Sequence, residues 1–183
     1  MYNAGGRAAP NNPNKGGRTV SQSEKNLKEA FAGESQANRK YLAFAQKAEA
    51  QGFAQAAKLF RAAAAAETVH ANAHLRTLGA IADTQENLKA ALSGETYEFE
   101  SMYPPMIAAA EAEGNKNAVR TFSYANAVEK IHAQLFQKAL DDLNNMAQVD
   151  YYVCSVCGYT CEDQAPETCP VCGAKAKAFS KVD

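Results

Sequence analysis

The sequence has no tryptophan and almost no excess charge of either sign. None of its apolar runs approaches the roughly 18 residues that a membrane-spanning helix needs. Lysine plus arginine number 19 and aspartate plus glutamate 20, for a net charge of -1, so nothing draws the chain as a whole to nucleic acid or to an anionic membrane. The N-terminus also lacks the apolar core of a secretory signal, and we therefore expect a cytoplasmic protein.

Nucleotide-binding patterns are missing as well. The 11 glycines are scattered or in isolated pairs, and they form neither a dinucleotide fingerprint nor a P-loop. We therefore expect that the chain does not bind NAD(P)H through a nucleotide-binding fold. With export not expected, the 5 cysteines are better explained as metal or redox groups than as a disulfide framework.

The composition changes twice along the chain and predicts three parts. Residues 1–20 are rich in glycine, proline and asparagine, which predicts a disordered tail. Residues 21–147 show helical periodicity and predict a four-helix bundle. Residues 152–183 are short segments rich in cysteine, glycine and proline, and they predict a small second domain.

Capping signals and glycines mark the ends of four helices. Ser21 with Glu24, and Asp83 with Glu86, have the spacing of capping boxes. The predicted helices cover about 22–51, 53–78, 84–113 and 115–144, and they are separated by Gly52, Gly79 and Gly114. Pro104 and Pro105 lie inside the third helix and should kink it or break it locally.

The helical part contains an internal repeat. Residues 30–34 recur as 91–95, at an offset of 61, whereas residues 48–52 recur as 110–114 and residues 67–71 as 129–133, at an offset of 62. This pattern indicates a duplicated helical hairpin whose halves are related by an approximate two-fold axis.

Each predicted helix carries one glutamate in the middle of its apolar stripe. These four residues are Glu34, Glu67, Glu95 and Glu129. Four carboxylates converging on one core would be very costly without a compensating cation. His70 and His132 follow Glu67 and Glu129 by one turn, so the set matches the ligand pattern of di-iron and di-manganese carboxylate bundles.

Four other residues fall near this set. Glu98 lies one turn after Glu95, but its counterpart in the first half of the repeat is an alanine, so it is either a fifth metal-facing carboxylate or a solvated one. Tyr41 and Tyr103 occupy equivalent positions, where they either donate hydrogen bonds to the site or simply pack. His74 has no counterpart in the second half, and we place it beside the site or on the surface.

The small domain carries two C-x2-C pairs separated by 11 residues. The four residues are Cys154, Cys157, Cys169 and Cys172. This spacing predicts a tetrathiolate site, which suits zinc or iron, and spacing alone does not distinguish a structural zinc ribbon from an iron centre. Cys161 has no place in the pattern and is either a spare thiol or a redox-reactive one.

Taken together, these motifs resemble the rubrerythrin family. The resemblance covers about 21–183, and its most specific pieces are residues 31–37, Gly94-Glu95 with Glu98 and Met102-Tyr103-Pro104, the two Glu-x-x-His pairs and the rubredoxin-like cysteine pairs. It implies a mainly α protein, with a ferritin-like four-helix bundle that holds a carboxylate-bridged, non-haem di-iron site. A small rubredoxin-like domain follows, with one mononuclear iron held by the four paired cysteines.

The resemblance also implies roles for individual residues. Glu67 and Glu129 would bridge the metals, while Glu34 would bind one iron and Glu95 with His132 the other. Glu98 would bind the first iron in the oxidised protein and be replaced by His70 on reduction. The family has an aromatic residue where this sequence has Cys161.

The function that the resemblance implies is the reduction of hydrogen peroxide to water in oxidative-stress defence. Electrons would come from rubredoxin or an NAD(P)H-dependent reductase through the rubredoxin-like iron. A ferritin-like ferroxidase would share the bundle, but it needs neither an electron inlet nor Glu98. A zinc-ribbon interaction module would explain the cysteines but not the glutamates and histidines of the helices.

The link between the second and third helices predicts the assembly. In ferritin-like bundles these helices are parallel and joined by a long crossover, whereas Gly79–Asp83 is short. We therefore expect a domain-swapped homodimer, in which helices one and two of one chain pair with helices three and four of its partner. An up-down-up-down bundle is the alternative that the short link also permits.

Overall fold

The computed structural model of the chain describes residues 20–182. Apart from Val20, the predicted tail lies outside the described residues. No helix in the described part combines the length and the apolarity that crossing a membrane requires.

Most of the described chain is α-helical. The α-helices are α1 (Gln22–Ala50), α2 (Ala54–Thr77), α3 (Thr84–Tyr97), α4 (Tyr103–Ala112) and α5 (Lys116–Asp141). The predicted N-caps are present, since the Ser21 hydroxyl accepts the Glu24 N–H at 3.1 Å and the Asp83 carboxylate accepts the Glu86 N–H at 2.9 Å. The three predicted separators, Gly52, Gly79 and Gly114, follow the ends of α1, α2 and α4 with φ of +81°, +66° and +67°, a conformation that favours glycine.

The third predicted helix is interrupted by a π-helical segment, Glu98–Met102, between α3 and α4. Here the Tyr103 N–H bonds to the Glu98 carbonyl, five residues back. Pro104 and Pro105 lack the N–H groups that would bond to the carbonyls of Glu100 and Ser101, so the local break expected from the prolines begins before them. A π-turn accommodates one extra residue in a helix. The π-helical segment lies where the offset of the internal repeat changes. Glu95 corresponds to Glu34 at an offset of 61 residues, whereas Tyr103 corresponds to Tyr41 at an offset of 62.

The described chain forms two compact units, one ending at Ile81 and the other beginning at Ala82. In the first unit, α1 packs on α2 through small residues, among which Ala45, Ala57 and Ala64 are almost fully buried. Asn38 is also buried, and its amide donates to the Ala64 carbonyl at 2.7 Å and to the Thr68 hydroxyl at 2.9 Å.

In the second unit, α5 packs against α3 and α4 around the buried residues Ala110, Val128 and Ala133. The chain continues into an antiparallel sheet with strand order β2-β1-β3. The strands are β1 (Tyr151–Cys154), β2 (Thr160–Glu162) and β3 (Phe179–Val182), and a short 3-10 helix (Ala176–Ala178) precedes β3. The Lys138 ammonium of α5 donates to the Glu162 carboxylate of β2 at 2.5 Å, which fastens the sheet to the helix.

Candidate metal centres

The first unit brings together Glu34 of α1 with Glu67 and His70 of α2. Their ligand atoms all lie within 4.8 Å of one another. Glu67 and His70 are one helical turn apart, and the Glu67 Oε2 lies 3.1 Å from the His70 Nδ1. The close approach of the two carboxyl groups raises the pKa of Glu34 and lowers that of Glu67.

The second unit contains the equivalent cluster of Glu95 from α3 with Glu129 and His132 from α5, also within 4.8 Å. The His132 Nδ1 lies 2.9 Å from Glu129 Oε2 and 3.7 Å from Glu95 Oε2. Glu95 Oε2 is buried and has no hydrogen-bond partner among the described residues. Burial first, and the Glu95 charge second, raise the pKa of Glu129.

These observations fit a metal ion. A buried carboxylate oxygen without a partner is costly, and a second carboxylate with a raised pKa lies beside it. A cation between them would supply the missing partner and hold both groups ionised. Carboxylate and imidazole ligands suit iron. Each unit contributes two glutamates and one histidine, which is half of the ligand set that the sequence predicts.

Glu98 lies close to the second cluster without being part of it. It is half-buried and begins the π-helical segment. Burial and the Glu95 charge raise its pKa, while the His132 charge lowers it, so its carboxyl group interacts with two members of the cluster. Glu100, two residues on, is exposed.

The two tyrosines pack in equivalent ways and are both half-buried. The Tyr41 ring lies 6.3 Å from that of Phe60, and the Tyr103 ring lies 6.3 Å from that of Phe122. Burial and the charges of Glu129, Glu98 and Glu95 raise the pKa of Tyr103, so its hydroxyl stays protonated beside the carboxylates. His74 is half-buried outside the first cluster, and its charge lowers the pKa of Glu34.

The four paired cysteines also converge. Their sulfurs lie within 4.8 Å of one another, with 3.7 Å between Cys154 and Cys172 and 3.6 Å between Cys157 and Cys169. Burial raises the pKa of the Cys157 thiol. A metal ion among the four sulfurs would hold them as thiolates.

Each C-x2-C pair ends in a glycine that the turn requires. Gly158 donates to the Cys154 carbonyl at 2.8 Å with φ of +85°, and Gly173 donates to the Cys169 carbonyl at 2.9 Å with φ of +76°. Cys161 stands apart in β2, opposite Tyr152. Burial raises the pKa of its thiol, which favours a spare thiol over a reactive one.

One contact of the second cluster could not be predicted from the spacing of residues in the sequence. The His132 Nε2 lies 3.0 Å from the hydroxyl of Thr160, a residue of the small sheet. The sequence does not indicate which helix the sheet packs against, so this contact could not be foreseen.

Comparisons with known proteins agree with this arrangement. The rubrerythrin family model matches residues 25–140, and the model of the rubrerythrin rubredoxin-like domain matches residues 152–180. The chain is 36% identical to rubrerythrin-2 of Clostridium acetobutylicum, over 84% of this chain and 92% of the relative. It is 35% identical to nigerythrin of Nitratidesulfovibrio vulgaris, over 88% of this chain and 87% of the relative.

Solved structures give the same result. A mixed-valence state of nigerythrin matches with a TM-score of 0.54 and 32% identity, over 92% of this chain and 90% of that one. The fully reduced, all-ferrous state matches with a TM-score of 0.53. The expected fold class, mainly α and ferritin-like with a rubredoxin-like domain, is thereby confirmed. The chain belongs to the rubrerythrin family, di-iron proteins of oxidative-stress defence that also carry one iron in a rubredoxin-like site of four cysteines.

Proposed function

We propose that this chain is a non-haem di-iron peroxidase that reduces hydrogen peroxide to water. The observation that carries the proposal is that the four-cysteine cluster belongs to the same compact unit as the Glu95–Glu129–His132 cluster. A ferroxidase that stores iron needs no such electron inlet. The balance is one hydrogen peroxide, two electrons and two protons giving two water molecules.

The two Glu/His clusters together would hold the iron pair. Glu67 and Glu129 would be shared by both irons, Glu34 would bind one of them, and Glu95 with His132 would bind the other. Glu98 would be a ligand of the first iron in the oxidised protein, and His70 would take its place in the reduced protein. When bound, two ferrous ions supply both electrons for the O–O bond and stabilise the oxygens as they separate.

The remaining side chains bind and orient the substrate. The Tyr103 hydroxyl stays protonated beside three carboxylates, so it can donate a hydrogen bond to the peroxide or to a ligand carboxylate. Tyr41 occupies the equivalent repeat position in the first unit, and we assign it the same role of hydrogen-bond donor. Burial and Glu95 raise the pKa of Glu98, so its carboxyl group can take up a proton when it is not bound to a metal.

The iron that serves as the electron inlet would be held by Cys154, Cys157, Cys169 and Cys172. Its electrons would come from a separate redox protein, either rubredoxin or an NAD(P)H-dependent reductase. The working assembly is a homodimer in which α1 and α2 of one chain combine with α3, α4 and α5 of its partner.

Stopped-flow oxidation of the anaerobically reduced protein tests the activity. We expect rapid reoxidation with a stoichiometry of one peroxide for each pair of electrons, and much slower reoxidation by oxygen. Preferential reaction with oxygen, together with accumulation of ferric mineral, would instead support the ferroxidase.

A further inference from the structure

His132 has neighbours on both of its ring nitrogens. Nδ1 faces the carboxylates, at 2.9 Å from Glu129 and 3.7 Å from Glu95. Nε2 faces the other way, at 3.0 Å from the hydroxyl oxygen of Thr160. The side chain is about three-quarters buried, with a relative exposure of 27%, so these neighbours rather than water determine its hydrogen bonds.

The hydroxyl of Thr160 carries one proton, which it donates to the carbonyl of Gly158 at 3.1 Å. Towards His132 the oxygen can therefore only accept, so the proton of this hydrogen bond sits on Nε2. A neutral imidazole with its proton on Nε2 has its lone pair on Nδ1, and that lone pair points at the two carboxylates.

The Gly158 carbonyl is itself held by the cysteine turn. Gly158 directly follows Cys157, its N–H donates to the Cys154 carbonyl, and the Cys154 N–H donates to the Tyr159 carbonyl at 2.9 Å. A Cβ added to Gly158 would lie 3.8 Å from the Val128 side chain of α5, so this turn lies against the helix that carries His132. The small domain thus places the hydroxyl oxygen of Thr160 in a defined orientation beside the Nε2 of His132.

We propose that Thr160 is a positioning residue for the helical metal centre: its hydroxyl holds the Nε2 proton of His132 and leaves Nδ1 as the metal ligand. The proposal rests on His132 being a ligand, as the proposed function requires. It makes the rubredoxin-like domain a structural part of the helical site as well as an electron inlet. Partners of this kind fix the orientation of metal-bound histidines, and their removal typically weakens metal affinity roughly 10–100-fold.

Zinc-loaded protein labelled with nitrogen-15 in histidine provides the test, because zinc is diamagnetic and reports binding without turnover. The chain has 3 histidines, so the spectrum is simple, and His132→Gln assigns the signal of interest. Zinc is added beyond the amount that the cysteines bind. We expect wild-type His132 to bind zinc through Nδ1 and to carry a slowly exchanging proton on Nε2.

Thr160→Val keeps the shape and the strand preference of the side chain but removes the hydroxyl. It should lose the slow exchange and weaken zinc binding at His132 roughly 10–100-fold. Thr160→Ser should restore both. Thr168→Val is the matched control, because that hydroxyl bonds to Lys175 rather than to His132, and it should behave as wild type.

Zinc on Nε2 of the wild-type protein would overturn the proposal without any variant. Unchanged exchange and affinity in Thr160→Val, or no rescue by Thr160→Ser, would overturn it as well. A protein that shows the expected zinc spectra but does not reduce peroxide would contradict the proposed function and leave this proposal standing.

Discussion

Glu98 is the carboxylate that one half of the helical repeat has and the other half lacks. Its pKa is raised by burial and by the Glu95 charge, so it interacts with the site while the nearby Glu100 is exposed to solvent. This supports the metal-facing possibility of the two that the spacing left open, and that possibility stays a prediction. Its role as an exchangeable ligand remains a prediction.

Glu98→Ala should therefore retain two irons in the helical centre but slow peroxide reduction, roughly 10–100-fold, since the metals lose a group that tunes them. The variant should move towards simple ferroxidase behaviour. Iron analysis and stopped-flow kinetics with peroxide and with oxygen measure both effects. Glu100→Ala is the matched control and should react like wild type. Unchanged turnover in Glu98→Ala would instead show that Glu98 is a solvated carboxylate with no role at the metals.

Tyr103→Phe removes one hydroxyl and leaves the ring contact with Phe122 in place. Because the raised pKa keeps this hydroxyl protonated, we expect its loss to slow the reaction with peroxide at unchanged iron content. Because the shift is upwards, any ionisation of Tyr103 in the wild-type rate profile should appear at higher pH than that of an ordinary tyrosine. Tyr97→Phe changes an exposed tyrosine and serves as the control; equal rates in both variants would assign Tyr103 to packing alone.

At the scale of elements, periodicity and caps predicted the helices to within a few residues, because buried stripes and N-caps are local properties. The π-helical segment was only partly predictable. The offset change from 61 to 62 indicates an inserted residue, but it does not say whether a loop or a helix absorbs it. Two prolines without N–H groups favour the π-turn at that point, and Glu98 begins it.

The small domain was predictable as a metal site for a related reason, since each C-x2-C-G pattern encodes a turn that only glycine completes easily. The spacing of the cysteines did not predict which helix the small domain packs against. Packing of the sheet on α5 brings Thr160 to His132 and Lys138 to Glu162, and such contacts between distant segments depend on the whole surface rather than on any motif.

The cysteine cluster predicts a spectrum that one substitution should remove. Protein purified in air should be red and hold one iron at the four cysteines in addition to two in the helical centre. Cys157→Ser or Cys169→Ser should abolish the intense visible charge-transfer bands. Cys161→Ser should retain them, because the Cys161 sulfur is outside the cluster; native protein with only zinc at the cysteines and no metal in the helical centre would contradict the peroxidase.

At the scale of the molecule, the link between α2 and α3 is held by hydrogen bonds at both of its ends. The Ala80 N–H bonds back to the Leu75 carbonyl, and the Asn87 amide holds both backbone groups of Ala82. Each end therefore belongs to its own compact unit, and the division falls between Ile81 and Ala82. Little of the link is left to extend.

This short link limits how one chain could complete its own site. If α2 and α3 ran parallel, Glu67 would lie ten residues before the end of α2 and Glu95 eleven after the start of α3, about 31 Å of helix in all. The seven steps from Thr77 to Thr84 span at most about 23–25 Å when fully stretched. Large apolar side chains of the first unit, Phe44, Phe53 and Leu59, are also exposed, as expected of a surface that a partner chain covers.

Complementation between two inactive chains tests the swapped dimer. Glu67→Ala damages the cluster of the first unit and Glu129→Ala that of the second, so each homodimer should lack peroxidase activity. If the chains exchange units, a heterodimer of the two variants contains one site with both clusters intact and one with both damaged, and it should regain about half of the wild-type activity. If each chain completes its own site, every site in the heterodimer is damaged. Heterodimers verified by two different affinity tags that recover no activity would therefore exclude swapping and favour the up-down-up-down arrangement.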